Sequence, residues 1–75
     1  MKNTAYMSEL KTENEITVRA SALPNEHLAV HATTKDGRTL VVVWDEEGTG
    51  YPVTDDMEDR ESDEVFAAVK GAGWL

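Results

Sequence analysis

The sequence predicts an α+β domain: a small antiparallel meander of three to four strands with one C-terminal helix packed on one face. Three observations predict it. Lys35-Asp36-Gly37-Arg38 sets an Asp-Gly pair between two apolar-rich runs, the strongest short hairpin signal. Leu40 to Trp44 is an unbroken apolar, β-branched-rich run of the kind found in a central strand. Val65, Phe66 and Val69 recur at helical spacing behind Ser62, a good N-cap residue.

Taken in chain order, Ala5 to Lys11 stays ambiguous, because Tyr6, Met7 and Leu10 have helical spacing in too short a stretch. Ile16, Val18 and Ala20 alternate with Thr17, Arg19 and Ser21 and read as a strand. Pro24-Asn25 ends it with a turn. Residues 25–32 fit helix or strand, and strand is preferred because the Asp-Gly turn needs a strand on each side. A two-residue type I′ loop at Asp36-Gly37 places Lys35 opposite Arg38, Thr33 opposite Leu40, and Val30 opposite Val43. One face then carries Val30, Ala32, Val41 and Val43, and the other His31, Leu40, Val42 and Trp44. In that register Val43→Asp unfolds the domain, by placing an unpaired charge in a central strand. Gly48-Thr49-Gly50 breaks the chain, and Tyr51-Pro52-Val53 reads as a short edge strand. Asp55 to Glu61 reads as polar and irregular, or as one loose turn. The helix is expected from Asp63 to about Lys70, with acids at its positive end, Lys70 at its negative end and Gly71 just past it.

The chain has 75 residues, which is one acidic domain, 1–75. A domain of this size buries only ~60% of its unfolded surface, so its core is thin. It contains no cysteine, so neither a disulfide nor a thiolate metal site supplements that core. No apolar run approaches the ~20 residues that cross a bilayer. Met1 to Glu15 has no signal-peptide pattern, and a cytoplasmic location is expected.

Net charge is −8, from 15 acids and 7 bases. Residues 1–44 are neutral, with five of each. Residues 45–64 carry ten acids against Arg60 alone, a net of −9. The excess charge therefore lies in one segment. It disfavours direct contact with nucleic acid or an anionic membrane, and suits either a protein partner with a basic surface, such as a nucleic-acid-binding protein or complex, or a solvated acidic face that keeps a small domain soluble. The candidate partner-binding residues are Asp45, Glu46, Glu47, Asp55, Asp56, Glu58, Asp59 and Glu61.

Catalytic and metal chemistries find weak footing. Counting from Asp45, oxygen side chains fall at positions 1, 3, 5 and 12 of a calcium-loop pattern, with Gly50 at position 6. Position 12 is Asp56 rather than glutamate, Pro52 interrupts the loop, and a strand precedes it. His27 and His31 chelate one ion only if helical, because in a strand they stand ~13 Å apart. Carboxylate pairs abound, but acid–base catalysis needs a cleft that separates their pKa values. No phosphate loop, nucleophile elbow or HExxH motif is present. The expectation is no enzyme, no metal and no cofactor.

The function expected is thus a non-catalytic protein-binding module that docks an acidic surface on a basic partner. Its sharp form is nucleic-acid mimicry, in which carboxylates on a small rigid scaffold occupy a phosphate-binding groove. In size and charge the chain is similar to small acidic proteins of phages and mobile elements, including some anti-CRISPR and anti-restriction inhibitors. The alternative is a structural or assembly protein that forms a homodimer through an apolar sheet face, with Leu40, Val42, Trp44 and Trp74 at the interface.

Overall fold

Residues 8–74 are described by the computed structural model, and they alternate short strands with equally short loops. The strands are β1 (Ser8–Lys11), β2 (Thr17–Ala22), β3 (Leu28–Thr33), β4 (Thr39–Trp44) and β5 (Gly50–Asp55), followed by one helix, α1 (Asp59–Gly71). They form one antiparallel sheet in chain order. The fold is α+β, but with five strands rather than three to four. The additional strand is β1, in the ambiguous N-terminal stretch, where Leu10 pairs with Val18. Tyr6 and Met7, which share the helical spacing with Leu10, lie outside the described residues, as does Leu75.

Strands β2 to β5 start at Thr17, Leu28, Thr39 and Gly50, eleven residues apart, and each is six residues long. The five-residue loops between strands explain this regularity. In each, the first N–H donates to the carbonyl of the fifth residue: Thr12 to Ile16, Leu23 to His27, Thr34 to Arg38 and Asp45 to Thr49. In three loops the fourth residue has positive φ, at Glu15 (64°), Gly37 (94°) and Gly48 (85°). There its N–H donates back to the first carbonyl at 3.0 Å. The first side chain completes the loop. Thr12 Oγ1, Thr34 Oγ1 and Asp45 Oδ1 accept the N–H of Ile16, Arg38 and Thr49. This pattern is a type I turn closed by a G1 bulge. The remaining loop has positive φ at Asn25 and Glu26, the requirement of a type I′ turn.

The hairpin expected at Asp36-Gly37 is therefore present, with one more loop residue than expected. Asp36 keeps a negative φ, and only Gly37 turns left-handed. Thr33 consequently pairs with Thr39, Ala32 with Leu40, Val30 with Val42 and Leu28 with Trp44. The slip of one residue exchanges the faces of β4. Leu40, Val42 and Trp44 join Val18, Ala20, Val30 and Ala32 in the core, while Val41 and Val43 lie on the opposite face. The expected sharing of a face by Val30, Ala32, Val41 and Val43 is corrected accordingly.

Helix α1 begins four residues earlier than expected, because its cap is Glu58 and not Ser62. Glu61 reaches back to accept the Glu58 N–H at 2.9 Å, the returning half of a capping box. The stretch before it is not irregular. Strand β5 continues to Asp55, the Asp56 N–H donates to the Thr39 carbonyl at 2.9 Å, and Met57 is buried in the core. At the other end, Gly73 and Trp74 donate to the Lys70 and Val69 carbonyls, a Schellman motif that folds Trp74 onto the core. Val65 and Val69 are the buried residues of the helix. Among the described residues, no helix is long and apolar enough to cross a membrane.

Strand β5 is an edge. Its register shifts between Val41 and Val42, leaving Val53 as the extra residue of a bulge beside Pro52.

The register predicts an asymmetry between adjacent valines. In urea denaturation followed by circular dichroism, Val42→Asp should lose about 4 kcal/mol, most of the stability of a domain this small. Val43→Asp, on the open face, should lose about 1 kcal/mol. Greater damage from Val43→Asp would place the other face in the core.

Candidate functional site

The acids of residues 45–64 divide into two groups in space as they do in sequence, where residues 48–54 carry none. Asp45, Glu46 and Glu47 occupy the β4–β5 loop, whereas Asp55, Asp56, Glu58 and Asp59 occupy the corner between β5 and α1. Strand β5 separates the two groups by about 17 Å, at ~3.3 Å per residue.

Several of these acids serve the fold. Asp45 accepts the N–H groups of Glu47 and Thr49 and the Tyr51 hydroxyl. The Thr49 and Glu47 hydrogen bonds and the Tyr51 hydroxyl hold its carboxyl below the usual range, while the charge of Asp45 pushes the Tyr51 hydroxyl up. Glu61 takes both terminal nitrogens of Arg38, at 2.7 and 2.8 Å, a bidentate pair that draws its carboxyl down. Glu64, one turn on, accepts the Thr12 hydroxyl and the Asn14 amide, and these bonds hold its carboxyl down too. Through Glu61 and Glu64 the helix grips the β3–β4 and β1–β2 loops at one end of the sheet. Glu58 pairs with Arg60 in solvent.

The side chains of Asp55, Asp56, Asp59 and Asp63 have no hydrogen-bond or ion-pair partner among the described residues, and all four are exposed. Asp59 and Asp63 lie one helical turn apart, in line with Phe66 and Lys70. This flank of α1 faces β5 across a groove of about 710 Å³. The groove exists because of what β5 lacks. Opposite Trp44 and Val42 it presents only Gly50 and Pro52, so no large side chain fills the space beside the helix. Leu40, Val42 and Trp44 floor it, and Asp55, Asp59 and Asp63 rim one end. Phe66, read from sequence as part of the core stripe, is 39% exposed and forms the wall, its ring edge-on to Trp44 at 5.8 Å. A Cβ on Gly50 would lie 2.8 Å from Trp44 Nε1, so the close approach of strand and indole needs glycine there.

Of the residues expected at an apolar interface, Leu40, Val42 and Trp44 are 2%, 2% and 7% exposed and belong to the domain's own core. Trp74 is half-buried against the core and lines a cavity together with residues of the β2–β3 and β4–β5 loops. The sequence reading missed Asp63, Phe66 and the small residues Gly50 and Pro52 as groove elements. The 59, 63, 66, 70 spacing was visible, but its meaning depended on where the helix begins. Asp45 and Asp56 stand at opposite ends of β5, which separates the ends of the calcium-loop pattern. His27 lies in a loop and His31 on the open face of β3. Among the described residues, no three histidine, aspartate or glutamate side chains converge as metal ligands.

The carboxyls of Asp36, Asp45, Glu61 and Glu64 are all held lower in the fold than in the free chain. Their stabilisation is complete above the ordinary carboxyl range and is lost as pH falls through it. Urea midpoints should drop from about pH 5 toward pH 3. Glu61→Gln/Glu64→Gln should start lower at neutral pH and show a shallower drop. Equal slopes in parent and variant would remove the two glutamates from the pH dependence.

Compared with protein-family models, curated proteins and solved structures, the chain matches none, so the reading of its function rests on this geometry.

Proposed function

We propose that the protein is a non-catalytic binding module that docks its acidic corner, where β5 meets α1, on the basic surface of another protein. The observation that carries this reading is the group formed by Asp55, Asp56, Asp59 and Asp63. They are exposed, they gather at one corner, and no described residue neutralises them. Carboxylates held near one another without counter-charge repel, and a basic partner relieves that repulsion while gaining attraction of its own. Asp45, Glu61 and Glu64 have structural work within the domain and are set apart from the docking group. Glu46 and Glu47, at the far end of β5, extend the anionic surface. A nucleic-acid-binding protein presents the required chemistry, since its phosphate-binding surface is rich in lysine and arginine. Mimicry of a phosphate array is the sharp form of the proposal, with inhibition as its consequence.

Affinity capture from host lysate and from cells carrying its mobile elements, at low and high salt, tests this. The comparison is between the parent chain and Asp55→Asn/Asp56→Asn/Asp59→Asn/Asp63→Asn. A basic partner should be held by the parent, be released by salt, and be lost or strongly reduced with the variant, whose fold should persist. A partner retained equally by both, insensitive to salt, would overturn the acidic-corner reading and leave these residues as a solubilising surface.

A further inference from the structure

We infer that the groove between α1 and β5 is the specificity element of the module, and that it takes a segment of the partner in which an aliphatic side chain neighbours an arginine or lysine. This rests on the protein-binding reading above and names the chemistry that the binding site selects.

Two independent observations point to a ligand there. The first is an orphan donor. Trp44 is 7% exposed, yet no described residue accepts from its Nε1–H. The indole N–H of a largely buried tryptophan ordinarily has a partner, and excluding water from it without supplying an acceptor is unfavourable. The nitrogen sits against Gly50, within 2.8 Å of where a Cβ on that residue would stand, and Gly50 itself lines the groove. A peptide carbonyl lying along the groove supplies the missing acceptor. The second observation is the pairing of surfaces. Pro52, Phe66 and Trp44 make an apolar trough, and three aspartates, Asp55, Asp59 and Asp63, line it against the single cation Lys70, three helical turns from Asp59. An aliphatic side chain fits the trough, and the adjoining cation reaches the aspartates. A wholly polar segment leaves the trough unfilled, and an acidic one meets three aspartates against Lys70 alone. Addition of the segment to the sheet edge is disfavoured, because Pro52 has no N–H and the Val53 bulge interrupts the ladder. The groove, not the edge, is the recognition surface.

The test is a titration of the ¹⁵N-labelled full chain at low salt with three blocked hexapeptides: alternating arginine–leucine, arginine–serine and glutamate–leucine. Trp74→Phe assigns the Trp44 indole signal. The arginine–leucine peptide should saturably shift the Trp44 Nε1–H and the amides of Gly48, Gly50 and Phe66. The arginine–serine peptide should bind about tenfold more weakly, and the glutamate–leucine peptide not at all. Asp59→Asn/Asp63→Asn, at exposed positions that do not endanger the fold, should weaken the arginine–leucine peptide about three- to tenfold. Phe66→Ala should weaken it about fivefold or more.

Equal binding of both arginine peptides, with shifts confined to Glu46, Glu47 and Asp56 and a still Trp44 indole, would overturn the groove and spare the acidic surface. Equal binding of the arginine–leucine and glutamate–leucine peptides would overturn both. The absence of any saturable shift with arginine–leucine would overturn the groove alone, the acidic corner being judged by the capture experiment. A Trp44 indole signal that moves with protein concentration before peptide is added would place a second copy in the groove and overturn the inference.

Discussion

The number of residues in a hairpin loop governs this domain. Each connection closes between its first and fifth residues, and every strand pair from β1 to β4 therefore joins residues of the same parity. Even-numbered residues point toward the helix throughout that region: Leu10, Val18, Ala20, Val30, Ala32, Leu40, Val42 and Trp44. Loops one residue shorter would send alternate strands to the wrong face, and the thin core would not assemble. The rule is enforced at three loops by one left-handed residue and one side-chain oxygen each. At Glu15 that conformation is held without glycine, at some conformational cost. The closing hydrogen bonds of its loop and the grip of Glu64 on Thr12 and Asn14 compensate.

The helix depends on the same loops. Glu61 and Glu64 bind them at one end, and Trp74 packs against the core at the opposite end, beside a cavity that the other two loops also line. With both ends anchored, α1 lies along a line that buries Val65 and Val69 over the inner strands and leaves β5 uncovered on that side. The groove is what remains between a helix held in place and a strand that presents glycine and proline. The acidic segment thus contains two populations that share a charge and differ in role. Asp45, Glu61 and Glu64 are spent on hydrogen bonds inside the domain. Asp55, Asp56, Asp59 and Asp63 are exposed and have no partner among the described residues.

Much of this architecture was legible. The Asp-Gly hairpin, the alternation of Ile16 to Ala20, the β-branched run of β4 and the amphipathic end of the chain carry local signals strong enough to read without tertiary information. The register was not legible, because Asp-Gly serves both a type I′ turn and a type I turn with a bulge. The choice was made by Thr34, whose hydroxyl accepts the Arg38 N–H and bonds Asp36, a contact that favours the longer loop. The helix start was hidden by a better cap residue in the wrong place. Ser62 satisfies the local rule, but Met57 anchors the chain in the core and Arg38 recruits Glu61, which fixes the cap at Glu58. For the site, the density of charge was plain from sequence. The division into structural and unpartnered acids was not, since it depends on contacts between residues separated by up to 52 positions.

Strand β5 also bears on how copies of this protein meet at high concentration. A sheet propagates into a fibre only if it offers a complementary edge on each side. Here one side ends in Pro52 and a bulge at Val53, which is 67% exposed and breaks the row of backbone donors and acceptors. Among the described residues edge-to-edge contact is then left to β1, and joining β1 to its own copy uses that edge in both molecules. Growth by that route terminates after a single step, which disfavours a cross-β polymer built edge to edge.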